Sequence, residues 1–119
     1  MTTSQPLADC LFCRIVAGEL PSEEVASSDE AYAFRDINPA APSHVLIVPR
    51  RHLTDAAALE PGDSELLSAL FSLAQAVATS EGLSGGYRLV FNVGEDAGNT
   101  VPHLHLHVLG GRPMAWPPG

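Results

Sequence analysis

Residues 103–109 read HLHLHVL, so His103, His105 and His107 alternate with Leu104, Leu106 and Val108. Strict alternation is the period of a half-buried β-strand, whose successive side chains go to opposite faces. The run therefore predicts a strand with three imidazoles on one face and an apolar face against a core. Gly110-Gly111 should end it. Adjacent imidazoles on a straight strand stand ~6.6 Å apart. His103 and His107 are then too far apart to share one zinc ion, with its ~2 Å bonds, unless the strand bends. A neighbouring pair could ligate one ion. An exposed strand face can also carry histidines for no reason, but three of the chain's five histidines fall in this one run.

Neutral imidazole is a good nucleophile toward phosphorus and carries protons near neutral pH. It needs a partner that fixes its tautomer. The run follows GEDAGNT (94–100), a polar, Gly-containing loop. Imidazoles beside such a loop can supply nucleophile, orienter and phosphate-binding donors together, which points toward phosphoryl or nucleotidyl transfer. Backbone N–H groups near Gly98-Asn99-Thr100 would be the local charge stabilisers.

The rest of the chain can be read around this strand. AYAFRDI (31–37) predicts a strand stopped by Asn38-Pro39. SHVLIVP (43–49) predicts a short, nearly continuous apolar strand that Pro49 ends. Thr54-Asp55 could open a short helix through Leu59. After Pro61-Gly62, Asp63 is a plausible N-cap with Ser64-Glu65 in the first turn. Leu66, Leu67, Leu70, Phe71, Ala74, Val77 and Ala78 then recur at helical spacing up to a stop at Gly82. Ser84-Gly85-Gly86 is a turn, and YRLVFNV (87–93) predicts another strand. The order is strands, helix, strands. It predicts an α+β single domain over 1–119, with an antiparallel sheet of about five strands, one long helix and one short one. Residues 1–9 are polar and read as loose, and 112–119 as a C-terminal tail.

The charge and the termini exclude several classes. A chain of 119 residues suits one domain. The net charge of −8 argues against non-specific nucleic-acid or anionic-membrane binding. It leaves a locally positive pocket for a phosphorylated small molecule possible. MTTSQPLADC has neither a basic n-region nor a long apolar stretch, so it does not read as a signal peptide. A cytoplasmic location is expected, with no membrane and no nucleic-acid partner. Cys10 and Cys13 form a C-x-x-C pair, which in a reducing compartment points to metal or redox chemistry. No thioredoxin-like βαβ pattern surrounds the pair. The plain alternative is two small buried residues beside Leu11 and Phe12.

HLHLHVL resembles the His-x-His-x-His-x-x pattern of the histidine triad (HIT) family of nucleotide hydrolases and transferases. CLFCRIVAGELPS, FRDINPAAPSHVLIVPRRH, YRLVFNVGEDAGNTVPHLHLHVLGGR and the terminal WPPG extend the resemblance over almost the whole chain. They are similar to the Hint branch, the purine nucleoside phosphoramidases. The resemblance implies that His105 attacks the α-phosphorus to form a nucleotidyl-histidine, which water then cleaves. It implies that His107 hydrogen-bonds the phosphate and that His44 assists proton delivery to the leaving group. Asn92 and Thr100 would contact the phosphate; the family usually has Ser at the latter position. Asp36 would hold the ribose, and Phe12, Ile15 and Ile37 would line the base pocket. Each also has an ordinary structural role available: Asn92 ending a strand, Asp36 opening an Asp-x-Asn-Pro turn, the apolar three as core. The resemblance further implies a homodimer whose tail around Trp116 reaches the partner's active site; Trp116 could equally be a simple tail anchor.

Some bacterial members of that family bind a structural zinc through such a C-x-x-C pair. The resemblance assigns Cys10, Cys13, His52 and His103 as Zn²⁺ ligands. A closed Cys₂His₂ sphere leaves no place for water, so the ion would be structural, with none required for the chemical step. The implied reaction is hydrolysis of P–N bonds in nucleoside 5′-phosphoramidates or aminoacyl-adenylate-like substrates, releasing AMP or GMP. The alternatives are a dinucleoside polyphosphate hydrolase or a nucleotidyltransferase of the same family, and a non-enzymatic nucleotide-binding regulator. The GGR…WPPG ending argues against the first two, and the intact triad against the third.

Overall fold

The computed structural model describes residues 7–119. A five-stranded antiparallel sheet forms its centre, in the order β1-β2-β3-β5-β4. The strands are β1 (Glu24–Ser27), β2 (Ala31–Arg35), β3 (Ser43–Pro49), β4 (Tyr87–Phe91) and β5 (Leu106–Gly110). The helices are α1 (Leu11–Val16) and α2 (Ser64–Ser80).

β3 is buried along its whole length. It lies at the centre of the sheet with both faces covered, which is why its sequence is continuously apolar instead of alternating. Ala31 and Ala33 of β2, Val45 and Ile47 of β3, and Leu106 and Val108 of β5 form one face. Against them α2 lays Leu66, Leu70, Leu73, Ala74 and Val77, each at about 1.5–3 kcal/mol of burial for the larger side chains. The small alanines on β2 let the helix approach closely. Of the predicted helical stripe, Leu67 sits half-buried and Phe71 is exposed, resting on Phe91. Leu73 takes a core place that the pattern did not single out.

The opposite face of the sheet carries Phe34, Leu46 and Val48, covered by α1 through Phe12 and Cys13. This is the face on which His44 and His107 stand. β1 is a short edge strand with a register irregularity between Glu24 and Ala26; its sequence EVAS carries little pattern.

Several boundaries differ from the sequence reading. α1 was not foreseen, and it is the short α-helix of the fold; the stretch after Thr54-Asp55 is only a 3₁₀ turn over Ala56–Ala58, capped by the Asp55 side chain. α2 begins where expected, but Asp63 does not cap it with its side chain. That carboxylate instead accepts from Arg51 and from the Glu60 N–H, closing a 3₁₀ turn before the helix. Gly82, at φ +71, follows the last turn in the left-handed conformation expected of a helix stop.

Of the segment read as loose, Leu7 is bonded to the elements that follow it. The Leu7 N–H donates to Cys13 Sγ at 3.3 Å and the Cys10 N–H to the Leu7 carbonyl. Residues 1–6 of that predicted segment lie outside the described residues. Among the described residues no helix is long and apolar enough to cross a membrane.

Candidate active site and metal centre

The histidine run is not one straight strand. β5 starts at Leu106, so only His107 of the triad lies in the ladder. Pro102 is the central residue of a tight turn in which the His103 N–H donates to the Val101 carbonyl at 2.8 Å. The Leu104 N–H then donates to Leu53. This corrects the picture of three imidazoles in one row. His103 turns into the protein and is fully buried, while His105 and His107 keep their rings 4.9 Å apart at the cleft. The bend removes the spacing conflict, because His103 is free to serve a different centre.

That centre is formed by Cys10, Cys13, His52 and His103, all buried. Cys10 Sγ lies 3.3 Å from His103 Nδ1, Cys13 Sγ 3.4 Å from His52 Nδ1 and 3.5 Å from His103 Nδ1, and the two Nδ1 atoms 3.2 Å from each other. A tetrahedral zinc with bonds of ~2.0–2.3 Å holds its ligand atoms ~3.3–3.8 Å apart. The four atoms therefore already have nearly the spacing of one coordination sphere. His103 Nε2–H donates to the Pro49 carbonyl at 3.0 Å, which leaves Nδ1 as the bare nitrogen facing the sulfurs. Two thiolates and two imidazoles suit zinc.

The other two triad histidines and His44 lie beyond that centre. His105 Nδ1–H donates to the His103 carbonyl at 2.7 Å, so Nε2 carries the free lone pair. Phe12 stacks edge-on against the His105 ring at 5.2 Å. The Ala40 N–H donates to His44 Nδ1 at 3.0 Å. That places the His44 proton on Nε2, which donates to His107 Nδ1 at 2.9 Å. His107 in turn presents Nε2–H, 3.5 Å from the Asn92 side-chain amide. Turned with its oxygen toward the ring, that amide accepts a hydrogen bond from this N–H.

Burial pushes His44 below the usual histidine range, against a smaller opposing pull from Asp36. Burial, then His105 and His44, push His107 down to about 4. Both rings are neutral at pH 7. The contact of 3.4 Å between Asp36 Oδ2 and His44 Nε2 is therefore a charge–dipole contact and not an ion pair.

Asp36, His44 and His107 also converge closely enough to suggest a metal. The donor chemistry argues otherwise. His44 Nδ1 is occupied as an acceptor by Ala40, so its Nε2 carries the proton that a metal would have to displace.

Asp36 serves both readings of its sequence. Its Oδ1 accepts from the Asn38 N–H at 2.8 Å, making the turn, and its Oδ2 faces His44. A cleft of about 530 Å³ lies in front of these groups. Its walls bring together Asp36, Asn92, Thr100, His105 and His107 with Phe12, Ile15 and Ile37. Phe12 is both core and wall, whereas Ile37 is 91% exposed at the rim. Trp116 is 82% exposed in the tail and does not line this cleft.

One charge-stabilising expectation fails in part. The Gly98 and Asn99 N–H groups donate to Glu95 and Gly94 within their own loop, so they are spent there. Thr100 and the imidazoles remain for an anion. Sequence reasoning also missed Ala40, whose contribution is a backbone N–H that no side-chain pattern reveals. It missed the Arg35–Glu81 clamp as well, in which Glu81 at the end of α2 accepts from Arg35 at 2.6 and 2.9 Å and from Ser43 at 2.8 Å. That clamp fixes both ends of the loop carrying Asp36 and Ala40.

The family model described as HIT domain matches residues 17–114. A HIT-like protein of Synechocystis is 46% identical over 111 residues, covering 93% of this chain and 97% of the relative. A 14 kDa zinc-binding protein of Zea mays is also 46% identical, covering 92% and 87%. A HIT family hydrolase of Legionella pneumophila superposes with a TM-score of 0.91 at 49% identity, covering 93% of this chain and all of that one. A HIT family hydrolase of Clostridium thermocellum gives 0.89 at 42%, covering 92% and 96%. Such matches over nearly full length, with the three histidines at their bend, show that the chain belongs to the HIT domain family, among its hydrolase-like members.

Proposed function

We propose that the protein hydrolyses the P–N bond of nucleoside 5′-phosphoramidates or aminoacyl-adenylate-like substrates and releases AMP or GMP. The observation that carries this reading is the His105 tautomer. Its Nδ1–H is held by the His103 carbonyl, so Nε2 offers a lone pair to phosphorus in the cleft.

In the first step His105 Nε2 bonds to the α-phosphorus and the P–N bond breaks. The leaving nitrogen takes one proton from the His44–His107 pair, so it departs as an amine. The negative phosphate beside the pair favours its protonated form when substrate is bound. In the second step water attacks the phosphorus, returns a proton to the pair and frees His105. Asn92 and Thr100 hold phosphate oxygens, Asp36 the ribose hydroxyls, and Phe12, Ile15 and Ile37 the base. No metal takes part in either step.

The Cys10, Cys13, His52 and His103 cluster fits a structural zinc, which would tie α1 to the turn before β5. The zinc-binding name of the maize relative supports this. We further read the chain as a cytoplasmic homodimer, with Trp116 of the 112–119 tail reaching the partner's cleft. The exposed Tyr87 and Leu89 on the edge strand β4 support a pairing surface there.

The deciding assay follows AMP release from adenosine 5′-phosphoramidate. Wild type should release AMP and His105→Ala should not, while still binding AMP. No release from either, with AMP bound tightly, would move the protein to a binding role.

A further inference from the structure

The Gly110-Gly111-Arg112 turn follows the catalytic strand, and neither the proposed chemistry nor the metal centre uses it. It does not simply lead into the tail. It packs against the loop between β2 and β3. Gly111 sits at φ +93, and a Cβ there would come within 2.9 Å of Pro42. Only glycine allows that conformation and that approach. Arg112 then reaches across and donates from Nη2 to the Ala40 carbonyl at 3.0 Å, and from Nη1 to Pro113. Ala40 is the residue whose N–H donates to His44 Nδ1.

The geometry points to Arg112 as a positioning residue for His44: through Ala40 it fixes the tautomer that makes His44 the donor to His107. The chain of contacts is continuous. Arg112 holds the Ala40 carbonyl, the Ala40 N–H holds His44 Nδ1, and His44 Nε2–H reaches His107 Nδ1 at 2.9 Å.

The logic is one of proton placement. A neutral imidazole carries one N–H, on either nitrogen. With the Ala40 N–H aimed at Nδ1, a proton on Nδ1 would set two donors against each other. The proton therefore stays on Nε2. If the loop drifts, that constraint is lost and His44 can take the other tautomer. Its Nε2 is then a bare acceptor facing the bare Nδ1 of His107, and the proton path is broken. Asp36 Oδ2, 3.4 Å from the same Nε2, would also face a lone pair instead of a proton. The other anchors of the loop act at its two ends, where Asp36 N–H donates to the His44 carbonyl and Ser43 to Glu81. Arg112 grips its middle.

The test uses the full-length protein, ¹⁵N-labelled, as wild type, Arg112→Met and Arg112→Lys. Histidine ring ¹⁵N spectra report the His44 tautomer directly and need no substrate. Wild type should show a single Nε2–H form of His44. Arg112→Met should show a mixture, and Arg112→Lys, which keeps a donor, should recover most of the wild-type signal.

The kinetic half rests on the phosphoramidase reading. There Arg112→Met should lower kcat about three- to tenfold, as befits one exposed hydrogen bond. Its affinity for AMP should stay within about twofold of wild type. An unchanged His44 spectrum in Arg112→Met overturns the proposal, whatever kcat does. So does a loss of AMP affinity that parallels kcat, because that signals general loosening of the loop. If Arg112→Met fails to fold, Arg112→Ala removes the same donor to the Ala40 carbonyl and is read in the same way. A tautomer change in a protein that releases no AMP would sink the phosphoramidase reading and leave the positioning role intact.

Discussion

The main-chain carbonyl of His103 lies 2.7 Å from Nδ1 of His105. The same residue thus faces the candidate metal centre with its side chain and the proposed nucleophile with its backbone. On the proposed mechanism, a group that never touches substrate sets the orientation of the one that attacks it.

Removing the proposed zinc should therefore affect both stability and the proposed catalysis. Chelation, or Cys13→Ser, frees the His103 ring to move and its carbonyl with it. We expect Tm to fall by roughly 10 °C, as for a loss of about 3 kcal/mol in a domain of this size. AMP release should fall with it and return on adding zinc back. Scanning calorimetry with metal analysis checks the first part; an unchanged Tm after complete chelation would contradict it.

His107 offers a direct titration. In the free protein its ring should titrate near pH 4, because burial and the neighbouring His105 and His44 oppose its charge. Bound AMP brings negative charge beside it and should raise that value. By linkage, AMP then binds more tightly as the pH falls. If AMP makes the ring bind its proton tenfold more tightly, the protonated protein binds AMP about tenfold more tightly than the neutral one. NMR titration of His107 with and without AMP tests this, and an unmoved or lowered value would count against the phosphate site.

Glu81 should govern part of the acid limb of stability. The hydrogen bonds from Arg35, assisted by Ser43, hold its carboxyl below the ordinary glutamate value despite some burial. A depressed carboxylate contributes stability that is fully present above about pH 4.5 and is lost as the pH falls through its folded value. Glu81→Gln should cost about 1–3 kcal/mol at pH 7 and flatten the pH dependence below 4.5. Denaturant unfolding from pH 3 to 7 measures both.

Phe12 serves core and cleft together. It packs edge-on against Phe34 at 5.5 Å and against His105 at 5.2 Å. Phe12→Ala should lose about 3–5 kcal/mol of stability. Phe12→Leu, which keeps most of the volume, should fold and raise KM more than it lowers kcat. Equal effects on both constants would mean that the ring mainly orients His105.

Much of this was legible in the sequence because periodicity and burial agree. Leu66, Leu70, Ala74 and Val77 repeat at helical spacing since they face one sheet. SHVLIVP is continuously apolar since β3 is covered on both sides. The family resemblance points to Asp36, Asn92, Thr100, His105 and His107 together, and all five line one cleft. The bend at His103 was not legible. Alternation from 103 to 109 reads as strand throughout, but hydrogen bonds to Val101 and Leu53 take the first residues out of the ladder. The Ala40 and Arg112 contacts were invisible too, because they pass through main-chain atoms common to every residue type.

The candidate metal centre joins Cys10 to a histidine 93 positions later in the chain. During synthesis the thiol pair leaves the ribosome long before its last partner exists. At ~5–20 residues per second that wait is on the order of 5–20 seconds. Throughout it the two sulfurs are open to oxidants and to competing soft metals. With zinc as the proposed occupant, correct metallation becomes a matter of timing: whatever keeps those thiols reduced and unclaimed until the turn before β5 arrives helps decide how much of the protein is assembled properly.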